Sequence, residues 1–303
     1  MKAASGTRRS PRKIVLSASR RTDIPAFYMP WFTAGIRSGH FEVINPYNRS
    51  VTRVPSDPET VHSVVFWSKD FGPFLSGGYG ESLEKKGYGL FFNFTVNSVH
   101  PLLEPNVPPL IGRLEQMKAL SERFGPACIQ WRFDPICHLE GKGPASPPDN
   151  LGDFRRIADA AAKCGISRCI TSFVDEYAKV HRRMAALDGV ALRIPSMERK
   201  RRLLSEMAER LDRRNIRLYT CCEREVLEGL PPQSGIGRAA CIPGKLLVSL
   251  YGEGISTARD TGQRARQGCG CSVSRDIGSY ALHPCHHNCL YCYANPRGPA
   301  SRS

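Results

Sequence analysis

The chain has 303 residues, 41% of them hydrophobic and 23% charged, values that suit an ordered globular body and exclude a chain disordered throughout. That length accommodates one barrel-sized domain or two modest ones; no apolar run approaches the length needed to cross a bilayer, and Met1 to Lys13 contain no apolar signal-peptide core. The formal charge of +15 attracts polyanions, nucleic acid among them, without identifying one.

Lys2, Arg8, Arg9, Arg12 and Lys13 form a basic arm, and residues 1–12 are expected as a disordered tail. The body, expected over residues 13–225, alternates short apolar runs with helical patterns. The runs are Ile14-Val15-Leu16, Val64-Val65-Phe66-Trp67, Leu90-Phe91-Phe92, Cys128-Ile129-Gln130-Trp131, Cys169-Ile170-Thr171 and Ile216-Arg217-Leu218-Tyr219. Runs of this kind suit strands buried on both faces. Between them Leu110, Leu114, Met117 and Phe124 mark one helical stripe ended by Gly125, and Phe154, Ile157 and Ala161 another ended by Gly165. Leu204, Met207 and Leu211 mark a third, amid charges that begin at Arg199 to Arg202. Repeated strand and helix units without a sequence repeat predict an α/β fold with a mostly parallel sheet. The preferred form is a TIM-like, incomplete (β/α) barrel. Residues 226–296 follow as a cysteine-rich, metal-binding segment, and 297–303 as a flexible tail.

Catalysis in parallel α/β folds sits at the C-terminal ends of the strands, and here each apolar run is followed at once by charged or hydroxylated groups. Arg21 and Asp23 follow the first run, Lys69 the second, Arg132 and Asp134 the fourth, Asp175 the fifth and Glu223 the last. Arg21, Lys69 and Arg132 suit carboxylate or phosphate anchoring, and Asp23, Asp134, Asp175 and Glu223 suit hydroxyl binding or proton relay. An ordinary cap or ion pair is the competing reading of each.

Twelve cysteines, clustered late and without a signal peptide, read as metal ligands and reduced core thiols rather than disulfides, which places the chain in a reducing cytoplasm. Cys128, Cys137, Cys164 and Cys169 read as core. Cys285, Cys289 and Cys292 stand at gaps of three and two residues with Tyr291 before the third. Three thiolates on one loop hold a tetra-iron cluster with one iron left for an exogenous ligand, or, with His283, His286 or His287, a structural zinc. Cys241, Cys269 and Cys271, with Cys222 or Cys221, form a second set suited to an auxiliary iron-sulfur cluster or zinc.

The run Cys285-His-His-Asn-Cys289-Leu-Tyr-Cys292 resembles the CxxxCx(aromatic)C signature of radical S-adenosylmethionine enzymes, and Cys-Tyr-Ala-Asn295 resembles spore photoproduct lyase-like members. The resemblance implies a [4Fe-4S] cluster that binds S-adenosylmethionine, with Tyr291 at the aromatic position beside the cofactor. It also implies an electron donor such as ferredoxin or flavodoxin. Here the loop follows the body instead of the first strand, and Gly77-Gly78-Tyr79-Gly80-Glu81 only loosely matches the glycine-rich segment of those enzymes. Across Lys13 to Asn295 the chain also resembles the DUF1848 family. Leu16-Ser-Ala-Ser-Arg-Arg-Thr-Asp-Ile-Pro25, Phe66-Trp-Ser-Lys69, Trp131-Arg-Phe-Asp-Pro135 and Ser274-Arg-Asp-Ile-Gly278 carry that likeness together with the terminal loop. The family has no assigned reaction.

The leading expectation is an enzyme that generates a 5'-deoxyadenosyl radical on an unknown substrate. The alternative is a nucleic-acid-binding protein, stabilised by zinc or iron-sulfur and without catalysis. A zinc hydrolase fits less well, because its ligands are usually histidine and carboxylate around an open position.

Overall fold

The computed structural model describes residues 12–45, 48–141, 149–187 and 190–295. Most of the basic arm, residues 1–11, and the tail 297–303 lie outside these. Lys13 is described and is fixed: its N–H bonds Gly254 O at 2.8 Å and its Nζ bonds Pro58 O at 2.7 Å.

One eight-stranded sheet organises the chain. Its strands, in chain order, are β1 (Ile14–Ala18), β2 (Val61–Ser68), β3 (Gly89–Thr95), β4 (Ile129–Ile136), β5 (Arg168–Phe173), β6 (Arg217–Thr220), β7 (Gly237–Arg238) and β8 (Arg275–Asp276). They lie in the order β7-β6-β5-β4-β3-β2-β1-β8, every pair parallel. The six apolar runs fall in β1 to β6, save that Cys128 and Ile216 lie one residue ahead of β4 and β6. β7 and β8, two residues each, come from the segment 226–296, which therefore supplies both edges of the same sheet.

Alternation along the strands divides the residues between two environments. On one face Phe66, Phe92 and Phe94 pack with Phe71, Phe74 and Phe124 in a continuous aromatic layer, with ring centroids 5.0–6.3 Å apart. Trp131 and Phe133 of β4 meet Phe154 of the helix Phe154–Lys163 at 5.5 and 5.1 Å. Gln130, Arg132 and Asp134, the intervening residues of β4, point to the opposite face. There Gln130 donates to Asn93 of β3 at 3.1 Å and Arg168 of β5 donates to Gln130 at 3.1 Å. One face is thus a hydrocarbon core and the other a hydrogen-bonded polar interior. Removing any of the fully buried rings from the apolar face would cost about 3 to 5 kcal/mol.

Helices Leu110–Phe124 and Met197–Asp212 occupy the positions their apolar stripes predict, and Gly125, at φ +84°, ends the first in a conformation that suits glycine. Two antiparallel ribbons, His40–Ile44 with Val51–Pro55 and His138–Gly141 with Val190–Arg193, lie outside the main sheet. Gly77 to Glu81 is the junction of helices Gly72–Ser76 and Tyr79–Glu84, where a side chain at Gly80 would strike Phe124 and Phe74; it packs the outer layer and lines no site. Among the described residues no helix is long and apolar enough to cross a membrane.

Candidate active site and metal centres

The loop bearing Cys285, Cys289 and Cys292 folds back over the C-terminal ends of β1 to β4. Local chemistry sets up its cradle. Asp23 caps the short helix Ile24–Phe27, which has proline in its first turn, by accepting Ala26 N–H at 3.0 Å. The same carboxylate accepts Ser68 Oγ at 2.7 Å and Lys69 N–H at 2.8 Å, tying the end of β1 to the end of β2. Its Oδ2 also lies 2.8 Å from His287 Nε2, which anchors the cysteine loop.

A second anchor is Tyr291, whose hydroxyl donates to Glu104 and accepts from Asn97 Nδ2 at 3.2 Å. Lys69 Nζ bonds Glu104 Oε1 at 2.8 Å, with its ammonium 5.5 Å from the Tyr291 ring centroid. Glu104 Oε2 is buried and has no hydrogen-bond partner. Arg183, buried, clamps the loop backbone by donating to Cys289 O at 3.2 Å and Cys292 O at 2.6 Å.

Burial opposes charge on Lys69, but the Glu104 carboxylate and the Cys289 thiol outweigh it and hold the ammonium above its ordinary range. For Glu104 burial favours the neutral acid, and Lys69 overcomes it, so the carboxyl titrates below its usual value. Burial pushes Cys285 up to about 12, helped by Asp23 and Cys292, and raises Cys289 well above the ordinary thiol value. Tyr291 is raised by burial and then by Glu104. Burial thus disfavours free thiolates at Cys285 and Cys289. Binding a metal there must expel protons.

Arg21 ties segments together, donating to Ile44 O at 3.2 Å and Gly278 O at 3.0 Å and pairing with Asp276 at 3.2 Å. Arg132 bonds Asp134 on the polar face and donates from Nη1 to Cys241 Sγ at 2.6 Å; Asp134 also accepts from Ser172. Burial works against both charges, yet their mutual attraction raises Arg132 and lowers Asp134. Asp175 is engaged in a bidentate pair with Arg264 at 2.7 and 2.8 Å. Glu223 accepts the N–H of Phe173 at 2.9 Å and is raised by burial. Asp23 and Lys69 thus touch the cysteine loop directly. Arg132 and Asp134 face the other thiol set, and Asp175 and Glu223 brace the ends of β5 and β6.

Of that second set, Cys222 and Cys241 both lie against Cys221, whose Sγ is 3.8 Å from Cys222 and 4.0 Å from Cys241, and Cys271 Sγ accepts Ile242 N–H at 3.4 Å, one residue on from Cys241. All twelve cysteines are free thiols. Glu104, Asn97, Arg183 and the anchoring role of His287 were not legible in the sequence, since the first three sit in segments without a motif. Of the three histidines near the loop, His287 is engaged by Asp23 and His286 lies 3.3 Å from the Tyr28 hydroxyl, whereas His283 packs its ring 4.2 Å from that of Trp31 and leaves Nδ1 buried without a hydrogen-bond partner. Among the described residues no three histidine, cysteine, aspartate or glutamate side chains are arranged to hold a single metal ion. A hollow of about 550 Å³ beside His62, Tyr88 and Tyr251 lies at the opposite end of the strands, away from both thiol sets.

An all-parallel α/β sheet with a thiol-bearing loop docked at its strand ends defines the class. The chain belongs to the DUF1848 family, a domain of unknown function, whose family model matches residues 15–294. No curated protein matches it. Among solved structures it is similar to the carboxyl transferase domain of Rhizobium etli pyruvate carboxylase with 3-bromopyruvate, at 10% identity and a TM-score of 0.32, over 89% of this chain and 50% of that one. It is also similar to the T882A pyruvate carboxylase of the same organism, at 10% identity and 0.34, over 94% and 31%. The chain spans half or less of the length of these proteins, and superpositions this loose carry no argument about activity.

Proposed function

We propose that this chain is a radical S-adenosylmethionine enzyme whose sheet curls into a (β/α)8-type barrel, with Cys285, Cys289 and Cys292 holding a [4Fe-4S] cluster at its mouth. The observation that carries the reading is the docking of the cysteine loop onto the strand ends through His287–Asp23, Tyr291–Glu104 and Arg183, instead of onto a remote surface. The strand order supports the curl, because β1 to β7 follow one another across the sheet and β8 lies beside β1, the sequence of neighbours found around a barrel.

The donor set suits a cluster better than a single ion. Three free thiols share one loop, His287 within it is engaged by Asp23, and Lys69 and Arg183 bring positive charge to the Cys289 and Cys292 sulfurs. When bound and reduced by a donor such as ferredoxin or flavodoxin, the cluster would pass one electron to the sulfonium of S-adenosylmethionine, breaking the S–C5' bond to give methionine and the 5'-deoxyadenosyl radical. The protein's own residues bind and shield. Glu104 Oε2, buried without a partner beside Lys69 and Tyr291, is an acceptor for a cationic amine of the cofactor. Lys69 keeps that carboxylate ionised. Arg132, Asp134 and Ser172 offer polar contacts to a substrate on the inner face, and the docked loop limits water there.

The test is anaerobic reconstitution with iron and sulfide, reduction with dithionite and assay for 5'-deoxyadenosine. Wild type is expected to form it, and Cys289→Ala and Cys285→Ser to form none. Full activity in either variant, or no product from wild type carrying a reducible cluster, would reject the reading.

A further inference from the structure

On the outer layer, between helix Phe154–Lys163 and the C-terminal end of helix Met197–Asp212, lies a hollow of about 760 Å³. Its charged walls are Arg155, Asp159, Arg210, Arg213 and Arg214, and its floor is Phe154 and Ala158, both buried. Four guanidiniums thus face a single carboxylate, which leaves an excess of three positive charges in one hollow. The helical period produces this arrangement. Ile157, Met207 and Leu211 are buried against the sheet layer, and Arg210, Arg213 and Arg214, spaced i, i+3 and i+4, share one face of the other side.

The four arginines are not equally engaged. Arg214 is fixed: its Nε and Nη2 each lie 2.7 Å from Asp159 Oδ1, and its Nη1 donates to Arg210 O at 2.7 Å, satisfying a carbonyl of the last helical turn. Arg155 Nε is 4.0 Å from Asp159 Oδ2 with its side chain 83% exposed, a pair that adds little stability in water. Arg210 and Arg213 are exposed, and among the described residues their side chains have neither a hydrogen bond nor an ion pair. A helix-end role therefore accounts for Arg214 alone. It leaves three guanidiniums around one hollow with no anion to hold, an arrangement that mutual repulsion disfavours until one enters.

The chemistry of the walls narrows the occupant. The planar fork of arginine matches phosphate oxygens bidentately. Arg210 and Arg214 are one turn apart, about 6 Å along the helix, and Arg155 faces them from the second helix, which suits more than one phosphate. The buried floor offers no exposed ring for a base to stack on and no apolar anchor of the kind a protein partner needs. What remains is contact with a charged backbone, and the net charge of +15 draws the whole chain towards such a polymer. We propose that this hollow seats the phosphate backbone of nucleic acid without reading its bases. The proposal uses no residue of the cysteine loop and stands apart from the radical reading.

The test is fluorescence anisotropy of two labelled DNA duplexes of unrelated sequence, titrated with the full-length, anaerobically purified chain at a series of salt concentrations. Wild type is expected to bind both alike. Arg210→Gln/Arg213→Gln should weaken both by about tenfold or more and lower the slope of log affinity against log salt by about two. Arg155→Gln, on the other helix, should lower that slope by about one, and it decides the matter if the double variant does not fold by circular dichroism. Lys85→Gln/Lys86→Gln removes the same charge from exposed positions after helix Tyr79–Glu84 and should keep the wild-type slope. An equal loss in the lysine variant, no binding by wild type at low salt, binding of polyglutamate as tight as that of the duplex, or displacement of the duplex by equimolar inorganic pyrophosphate would each overturn the inference.

Discussion

The two thiol sites differ in how they are made. The terminal loop gathers its three cysteines within eight residues and borrows its surroundings, Asp23, Lys69, Glu104 and Arg183, from four distant segments. The inner set borrows its cysteines from distant segments, and its cationic partner, Arg132, sits on β4. In one the cysteines are local and the environment is tertiary; in the other the cysteines themselves meet only through the tertiary fold. The terminal loop should therefore lose its geometry when its anchors are cut, whereas the inner set should survive anything that leaves the sheet intact.

The largest expected contrast is chemical. Cys292→Ser should reduce 5'-deoxyadenosine formation to background, and Cys241→Ser should retain cofactor cleavage. Chromatography of the anaerobic reaction checks both, and equal loss in the two variants would erase the distinction. Next is Glu104→Gln, which leaves Lys69 buried without its partner. Unfolding in denaturant should show a loss of about 3 to 5 kcal/mol, and a loss below about 1 kcal/mol would mean that this pair does not anchor the loop.

Arg183→Met removes the charged donors from Cys289 O and Cys292 O and should cost about 2 kcal/mol, with faster hydrogen exchange confined to residues 285–295. Uniform exchange through the sheet instead would show that Arg183 supports the whole fold.

Acid should act in the same place. Glu104 titrates below its ordinary 4.5 in the folded chain, so its contribution is present above that pH and fades as pH falls below it. Lys69 is raised above 10.5, so its contribution is complete below that pH and fades as pH rises beyond it. The melting difference between wild type and Glu104→Gln should be flat between these limits and shrink at the acid end; a difference unchanged by acid would contradict the pairing. The smallest effect is expected far from both sites, at the exposed Arg53–Glu42 pair, where Arg53→Ala should change stability by less than about 1 kcal/mol.

Much of the fold was written in local pattern. Runs such as Val64 to Trp67 are buried on both faces and mark strands by composition alone, and Gly125 ends its helix where a left-handed residue is needed. β7 and β8 were illegible because two residues have no period; only their pairing partners make them strands. The alternation Gln130-Trp131-Arg132-Phe133-Asp134 placed polar groups on one face, but which thiol Arg132 would meet depended on where residue 241 returned to the sheet. Cys221 and Cys222 were equivalent in sequence, and Cys221 is the one that meets Cys241.

The sequence by itself determined the parallel α/β class, the family and the terminal cysteine motif, because strand burial, helical stripes and close ligand spacing are properties of neighbouring residues. Only the tertiary structure decided that His287 turns to Asp23 rather than to the thiols, that Glu104 lies under Tyr291, and that Cys221 meets Cys241. Those are contacts between residues tens to hundreds apart in the chain. They exist because burying both faces of one sheet fixes where every strand ends, and the ends decide which side chains meet.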